Sequence, residues 1–463
     1  MAQQHLSNQL LTMQSAFKLQ TYPSLQQRQY NLKQLLKLLQ ENQNAIIQAI
    51  SQDFGHRSSH ETQLIELFPS IEGIRYTLKH LKKWLKPQRK GTAIWHLGAR
   101  NHVEPQPLGV VGVIVPWNYP LYLAIGPLTD ALAAGNKAMV KMSELSPRLA
   151  ELLIRLLPQY LPEDLISIYA DDGELGPVFS ALAFDHLVFT GSTNTGRKVM
   201  QAAAENLTPV TLELGGKSPV IIADDYSIKL AAERIMMGKL FNAGQTCVAP
   251  DYVLLPKAQR QAFIDACLNY CKKHYETLAD SSISTIISSD FAARINKLLA
   301  EAIELGGKAI TLIPGESPAK IAPTLVFNAK ADMALMQEEI FGPLLPVIEY
   351  DELSQAIDYV TQREHPLALY IFSDKRQTQQ QVVQQTQAGG VCINDVLLHV
   401  AQHELPFGGV GASGMGHYHG YDGFVQFSKM LPIFRQSRFA AISLMRPPYT
   451  KLTDLLIKLM TRG

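Results

Sequence analysis

From Val110 onward, short uninterrupted apolar runs alternate with stretches of helical periodicity. No other feature of the chain constrains its fold as much. The runs are VVGVIV from Val110, AMVK from Ala138, LISIYA from Leu165, HLVFT from His186 and PVIIA from Pro219. Runs this short are of strand length, and a strand apolar at every position is buried on both faces, the habit of a parallel sheet covered by helices. Strands alternating with helices build βαβ units, so the expected class is α/β. Punctuation between the runs agrees. Gly135 is placed to end a helix in the left-handed conformation, and Ser146-Pro147 opens the next one with an N-cap residue and a proline in the first turn. A second α/β region is expected from about Glu213 to Val391, with a long helix ending near Phe241 and another around 257–275.

Composition narrows the function classes. The 463 residues carry 42 Lys and Arg against 41 Asp and Glu, a net charge of +1, and only 18% are charged. A nucleic-acid binder would show a basic footprint that is missing here. The 46% of hydrophobic residues excludes a disordered chain. Four cysteines, Cys247, Cys267, Cys271 and Cys392, are too few and too scattered for a disulfide framework or a zinc site, so a reducing cytoplasm is expected. The N-terminus lacks the basic start and apolar block of a signal peptide. Between Leu108 and Thr129 no residue is charged, but Pro116, Pro120 and Pro127 with Asn118 point to soluble core, not a membrane span.

Three further segments are placed by pattern. The N-terminal stretch has helical periodicity, as in Leu32, Leu35, Leu36 and Leu39. The six Lys and Arg within 79–91 read as a solvated surface, followed by a hairpin from Thr92 to Pro107. Near the C-terminus, Leu452, Leu455, Leu456, Leu459 and Met460 form one stripe of a short helix that would pack on the body or a partner subunit, or else dock on a membrane surface.

The candidate chemistry lies in six motifs, each with a plain structural alternative. Cys247 ends the loop of FNAGQTCVAP, where loop amides near a helix end could stabilise a thiolate; the alternative is a small core residue. Glu213, in TPVTLELGGKSP, is either structurally paired or a general base of raised pKa, and Gly215-Gly216 allow close approach of a ligand or of backbone. In VFTGSTNTGR a strand–Gly–helix turn can present helix amides to a phosphate, without the usual dinucleotide spacing. Asn118, in VPWNYP, could donate to an oxyanion or cap its own turn. QEEIFGP and the glycine-rich LPFGGVGASGMG complete the set. His399, His403, His417 and His419 beside the last motif read as structural or surface residues, and Cys267, Cys271 and Cys392 as core. No ligand spacing suggests a metal.

In this order, PWN, KMSE, FTGSTNTG, LELGGKSP, GQTC, EEIFGP and PFGG resemble the aldehyde dehydrogenase superfamily. The chain is further similar to its class 3 group, and PLGVVGVIVPWNYPLYLAIGPL leans towards bacterial coniferyl aldehyde dehydrogenases. The resemblance implies a Rossmann-like NAD(P)-binding domain (1–78 and 108–210), an α/β catalytic domain (211–393) and small β bridging or oligomerisation segments (79–107 and 394–463). It implies Cys247 as the nucleophile, Glu213 as the base that activates water, and Asn118 with the Cys247 N–H as oxyanion donors. Trp117, Gly191, Ser192 and Gly196 would lie along the cofactor, Lys141 and Glu144 at the adenosine ribose, and Glu339 and Phe341 at the nicotinamide ribose. NAD is the expected cofactor, with NADP as an alternative. The implied protein is a cytoplasmic homodimer oxidising an aromatic, coniferyl-type aldehyde, without an integral membrane anchor. A fatty aldehyde dehydrogenase, or a catalytically silent protein on the same fold, are the alternatives.

Overall fold

A computed structural model describes residues 2–461 apart from 97, 318 and 439. The five apolar runs all form strands, Val110–Ile114, Lys137–Lys141, Ile166–Tyr169, His186–Gly191 and Pro219–Ile222. The first four join Val210–Leu214 in a parallel sheet with the order 166–169, 137–141, 110–114, 186–191, 210–214. That is the doubly wound order, and it reverses between Val110–Ile114 and His186–Gly191. Pro219–Ile222 belongs to a second, seven-stranded sheet that also holds Tyr252–Pro256, Leu344–Tyr350, Ala368–Phe372 and Gly390–Ile393.

Helices cover these sheets for reasons visible in the chain. Leu32, Leu35 and Leu39 of helix Leu25–Glu41 are buried and share a core with Val111, Val113 and Val140 of the first sheet. The uncharged stretch becomes strand, loop and the buried helix Tyr122–Ala134, and among the described residues no helix is long and apolar enough to cross a membrane. Gly135 ends that helix at φ +93°, as its position predicts. A Cβ there would also lie 2.7 Å from Cζ of the buried Arg28. Gly135→Ala should therefore destabilise the fold by about 1–2 kcal/mol from the left-handed conformation alone. The check is a lower urea midpoint at unchanged slope; an unchanged midpoint would reject the strain.

Several details depart from the sequence reading. Ser146 occupies the N-cap position of helix Pro147–Leu156, but its side chain does not cap it. Asp53, from helix Gln43–Asp53, accepts the N–H groups of Arg148 (2.8 Å) and Leu149 (3.0 Å) instead. The hairpin starts earlier than Thr92: Gln88–Lys90 pairs antiparallel with Arg100–Pro107, and Ser428–Arg435 completes this three-stranded sheet. Helix Phe68–Trp84 runs past residue 78, and the short strand Gly414–Met415 pairs with Val210–Leu214 in the first sheet. The C-terminal helix Lys451–Thr461 leaves Leu452, Leu455 and Leu459 at least half exposed. Three of the five stripe residues are thus left uncovered, while Leu456 and Met460 are partly buried.

Candidate active site

The reversal point of the first sheet opens into a cleft of about 730 Å³. A crevice at the carboxyl ends of strands on either side of such a reversal is the standard ligand site of doubly wound sheets. Pro116, Trp117 and Asn118 line it from beyond Val110–Ile114, and Gly191, Ser192, Thr193 and Asn194 from beyond His186–Gly191. Glu213, Gly215, Cys247, Glu339 and Phe341 also line it, with Phe291 and Arg294 among the remaining residues of the wall. Cys247, Glu213 and Asn118, far apart in the chain, therefore face one space.

Asn118 is held in a defined orientation. Its Nδ2 donates to the carbonyl of Gln245 at 3.2 Å. A carbonyl can only accept, so the amide nitrogen faces it, and one of the two Nδ2 protons is left over. Asn118 is almost fully buried and borders the cleft with Cys247, so that remaining donor suits an oxyanion. A second link, between the hydroxyls of Tyr119 and Thr246, ties the same two loops together.

The electrostatics at Cys247 differ from the sequence reading. Loop amides of Cys247 and Val248 do favour the thiolate, but desolvation outweighs them, and the charges of Glu339 and Glu213 add to it. The Cys247 thiol is pushed up to about 12. Burial also lifts Glu213 well above the usual carboxylate range, and neither of its oxygens has a hydrogen-bond partner. Glu339 rises to about 8, through burial first and the nearby Asp251 second. The thiol and the two carboxylates favour their neutral forms chiefly because burial strips solvation from the charged forms, and Lys217 and Arg294 offset this only in part at Glu339.

The glycines after Glu213 serve protein groups. A Cβ on Gly215 would lie 2.0 Å from Oε2 of Glu339, so this glycine leaves room for the Glu339 carboxylate. One on Gly216 would meet the backbone of Pro366 and Leu367 at 3.3 Å.

A dinucleotide fits the other half of the cleft. Helix Thr193–Ala204 starts there with Ser192 as its N-cap, whose hydroxyl accepts from the Thr195 N–H. The first-turn amides of such a helix lack intrahelical partners and suit a pyrophosphate. Glu339 Oε1 is buried without a partner on the same wall. Gly196, Lys141 and Glu144 do not line this cleft. A Cβ on Gly196 would lie 2.6 Å from Leu214, so this glycine brings the helix close to the sheet. Lys141 is buried and paired with Asp171, while Glu144 is exposed beyond the end of the same strand.

The comparisons with known proteins follow this geometry. The aldehyde dehydrogenase family model matches residues 4–431. The chain belongs to the aldehyde dehydrogenase family. It is 50% identical over 450 residues to a probable coniferyl aldehyde dehydrogenase of Pseudomonas aeruginosa, covering 97% of this chain and 94% of that protein. It is 43% identical to a coniferyl aldehyde dehydrogenase of a Pseudomonas species, covering 96% and 94%. A solved structure of Staphylococcus aureus AldH in a substrate-bound state superposes with a TM-score of 0.93 at 36% identity, covering 98% of this chain and 99% of that one. The protein is an oxidoreductase acting on aldehydes, with NAD(P) as the family's cofactor.

Behind the cleft lies a buried polar network whose members the motif reading did not single out. Arg57, Glu61, Glu66 and Asn242 are buried and bond to the loops carrying Asn118 and Cys247. No sequence signal marks Arg57, Glu61 or Glu66, because a buried charge and an exposed one look the same along the chain. Among the described residues no group of three or more His, Cys, Asp or Glu could hold a metal. His419 is buried, drops to about 3 through desolvation, and sits 3.2 Å from the Tyr122 hydroxyl.

Proposed function

We propose that this aldehyde dehydrogenase oxidises an aromatic, coniferyl-type aldehyde, with Cys247 as nucleophile, Glu213 as base and Asn118 as oxyanion donor. The observation that carries the catalytic part is the convergence of these three side chains on one cleft beside a helix N-terminus. Cys247 Sγ attacks the aldehyde carbon, its proton passes to a neighbouring carboxylate, and the Asn118 amide and the Cys247 N–H bond the developing oxyanion. Bound nicotinamide supplies the hydride acceptor. The resulting Cys247 thioester is opened by water that Glu213 deprotonates, releasing the carboxylic acid and restoring the thiol. Gly191, Ser192 and the first turn of helix Thr193–Ala204 would hold the pyrophosphate, and Trp117, Glu339 and Phe341 the nicotinamide half.

NAD is the preferred cofactor in this reading. Glu144, exposed at the end of strand Lys137–Lys141, would bond ribose hydroxyls and repel a 2′-phosphate. The enzyme is read as a cytoplasmic homodimer. A reducing compartment keeps the thiol free. The edge strand Ser428–Arg435, with Phe434 half exposed, offers an unpaired rim for a second copy.

The aromatic assignment draws on the relatives of coniferyl type. One structural observation favours a fatty aldehyde: the exposed stripe of helix Lys451–Thr461 suits contact with a lipid surface. Reduction of NAD at 340 nm with coniferaldehyde, benzaldehyde, hexanal and decanal, corrected for aldehyde absorbance, separates the two. Coniferaldehyde should give a kcat/KM at least about tenfold above decanal, the scale on which pocket fit discriminates. A large decanal preference would sink the aromatic reading.

A further inference from the structure

The loop before Cys247 contains an unusual backbone. Asn242 and Ala243 both adopt left-handed conformations, at φ 51° and φ 52°, although neither is glycine. Two consecutive residues of this kind persist only where surrounding structure over-determines them. Glu61 is part of that hold: its Oε1 accepts the Asn242 N–H at 3.1 Å, and its Oε2 accepts from Ser284.

The Asn242 side chain points across to the Asn118 loop. Its Nδ2 donates to the Asn118 carbonyl at 3.1 Å and to the Gln245 carbonyl at 3.2 Å. The Asn118 carbonyl also accepts from Arg57 Nη1 at 3.2 Å. Arg57 is in turn paired with Glu66 at 2.6 Å, both side chains being fully buried. The other oxygen of Glu66 accepts the N–H groups of Leu121 (2.7 Å) and Tyr122 (3.1 Å), immediately after the Asn118 loop. A chain of bonds thus runs from the Arg57–Glu66 pair through Asn118 to Asn242 and the nucleophile loop.

One feature distinguishes Asn242 from an ordinary buried amide. Each acceptor it serves has another donor, Arg57 for the Asn118 carbonyl and Asn118 Nδ2 for the Gln245 carbonyl. Deleting the Asn242 side chain therefore orphans neither carbonyl, and its own Oδ1 has no partner to lose. Burial does not require the amide; the relative placement of the two loops does.

We infer that Asn242 is a positioning residue of the oxyanion site, locking Asn118 at its working distance from Cys247 against the buried Arg57–Glu66 anchor. This rests on the reading of Cys247 as nucleophile and Asn118 as oxyanion donor. Asn242 need not touch substrate or cofactor. It acts through the carbonyls on which the Asn118 amide is hung.

Asn242→Gly tests this, because glycine adopts the left-handed conformation without strain, a relief that offsets much of the loss of the two Nδ2 hydrogen bonds. Its kcat with coniferaldehyde or benzaldehyde should fall on the order of 10²-fold, the penalty of a small misplacement at a reacting centre. KM, the melting temperature and the rate of Cys247 alkylation by iodoacetamide should stay within about twofold or a few degrees. Alkylation forms no oxyanion, so it reports loop integrity without the function proposed. Asn242→Asp, of nearly equal shape but with no donor, should lose at least as much kcat. Wild-type kcat in Asn242→Gly overturns the inference, and so does a loss of kcat matched by altered alkylation and a large fall in melting temperature. Asn118→Ala separates the two levels. If it retains full turnover, the underlying reading of Asn118 fails; if it is inactive while Asn242→Gly is fully active, only the positioning role fails.

Discussion

Cys247→Ala should lower aldehyde-dependent reduction of NAD on the order of 10⁴-fold or more, while NAD binding measured by protein fluorescence is unchanged. The thiol is the proposed nucleophile, whereas the helix start at Ser192 and Thr193 that suits the pyrophosphate is built from a separate strand–helix turn. The fold should survive, since Cys247 is half-buried and its loop is held by Gln245, Asn242 and Tyr119. Turnover within tenfold of wild type would reject the mechanism. A corollary follows from the thiol's environment. With the group pushed up to about 12, the thiolate is a minor form at pH 8. Alkylation of the cofactor-free enzyme by iodoacetamide should be slow and still rising at pH 9, because the reactive form grows as pH climbs towards a raised pKa. A plateau below pH 8 would mean that loop amides, not desolvation, dominate at Cys247.

Glu213→Gln should separate the two halves of the reaction. Attack by Cys247 and oxidation to the thioester need the thiol and the oxyanion donors, so a burst of reduced cofactor approaching one per site should remain. Hydrolysis needs a base, and the following steady state should fall by about 10²- to 10⁴-fold. The pH dependence supplies a second signature. Burial raises the Glu213 carboxyl well above its ordinary range, and the carboxylate is the active form of a base. Hydrolysis in the native enzyme should therefore increase with pH as that raised group loses its proton, and the glutamine variant should lack this limb. Loss of the burst together with the steady state would assign Glu213 to the attack step instead, most simply as the group that takes the Cys247 proton.

The folding pattern was legible because it is local. A run such as VVGVIV is a strand whatever lies elsewhere, Gly135 can end a helix because it has no Cβ, and the order of strands and helices leaves few topologies open. The helix cap at Pro147 shows the limit of such reading. Ser146 is a good capping residue by type, yet the carboxylate that bonds the helix amides comes from Asp53 on another helix. The same holds for Gly215, which reads as room for a ligand or for backbone and also makes room for the Glu339 side chain. The C-terminal stripe is legible as amphipathic, but its spacing does not say what covers it, and the body of the chain leaves Leu452, Leu455 and Leu459 uncovered.

By itself, then, the sequence determined the α/β class, the family, and the residue types available for nucleophile, base and oxyanion donor, because periodicity and short motifs are properties of neighbours along the chain. Tertiary structure alone decided their working state. It brought Cys247, Glu213 and Glu339 together away from water, so that the thiol rises instead of falling. It also set Arg57 and Glu66 behind Asn118, and Asn242 between the two loops. Desolvation and charge coupling depend on distance in space, and these partners come from segments that sequence separation keeps far apart.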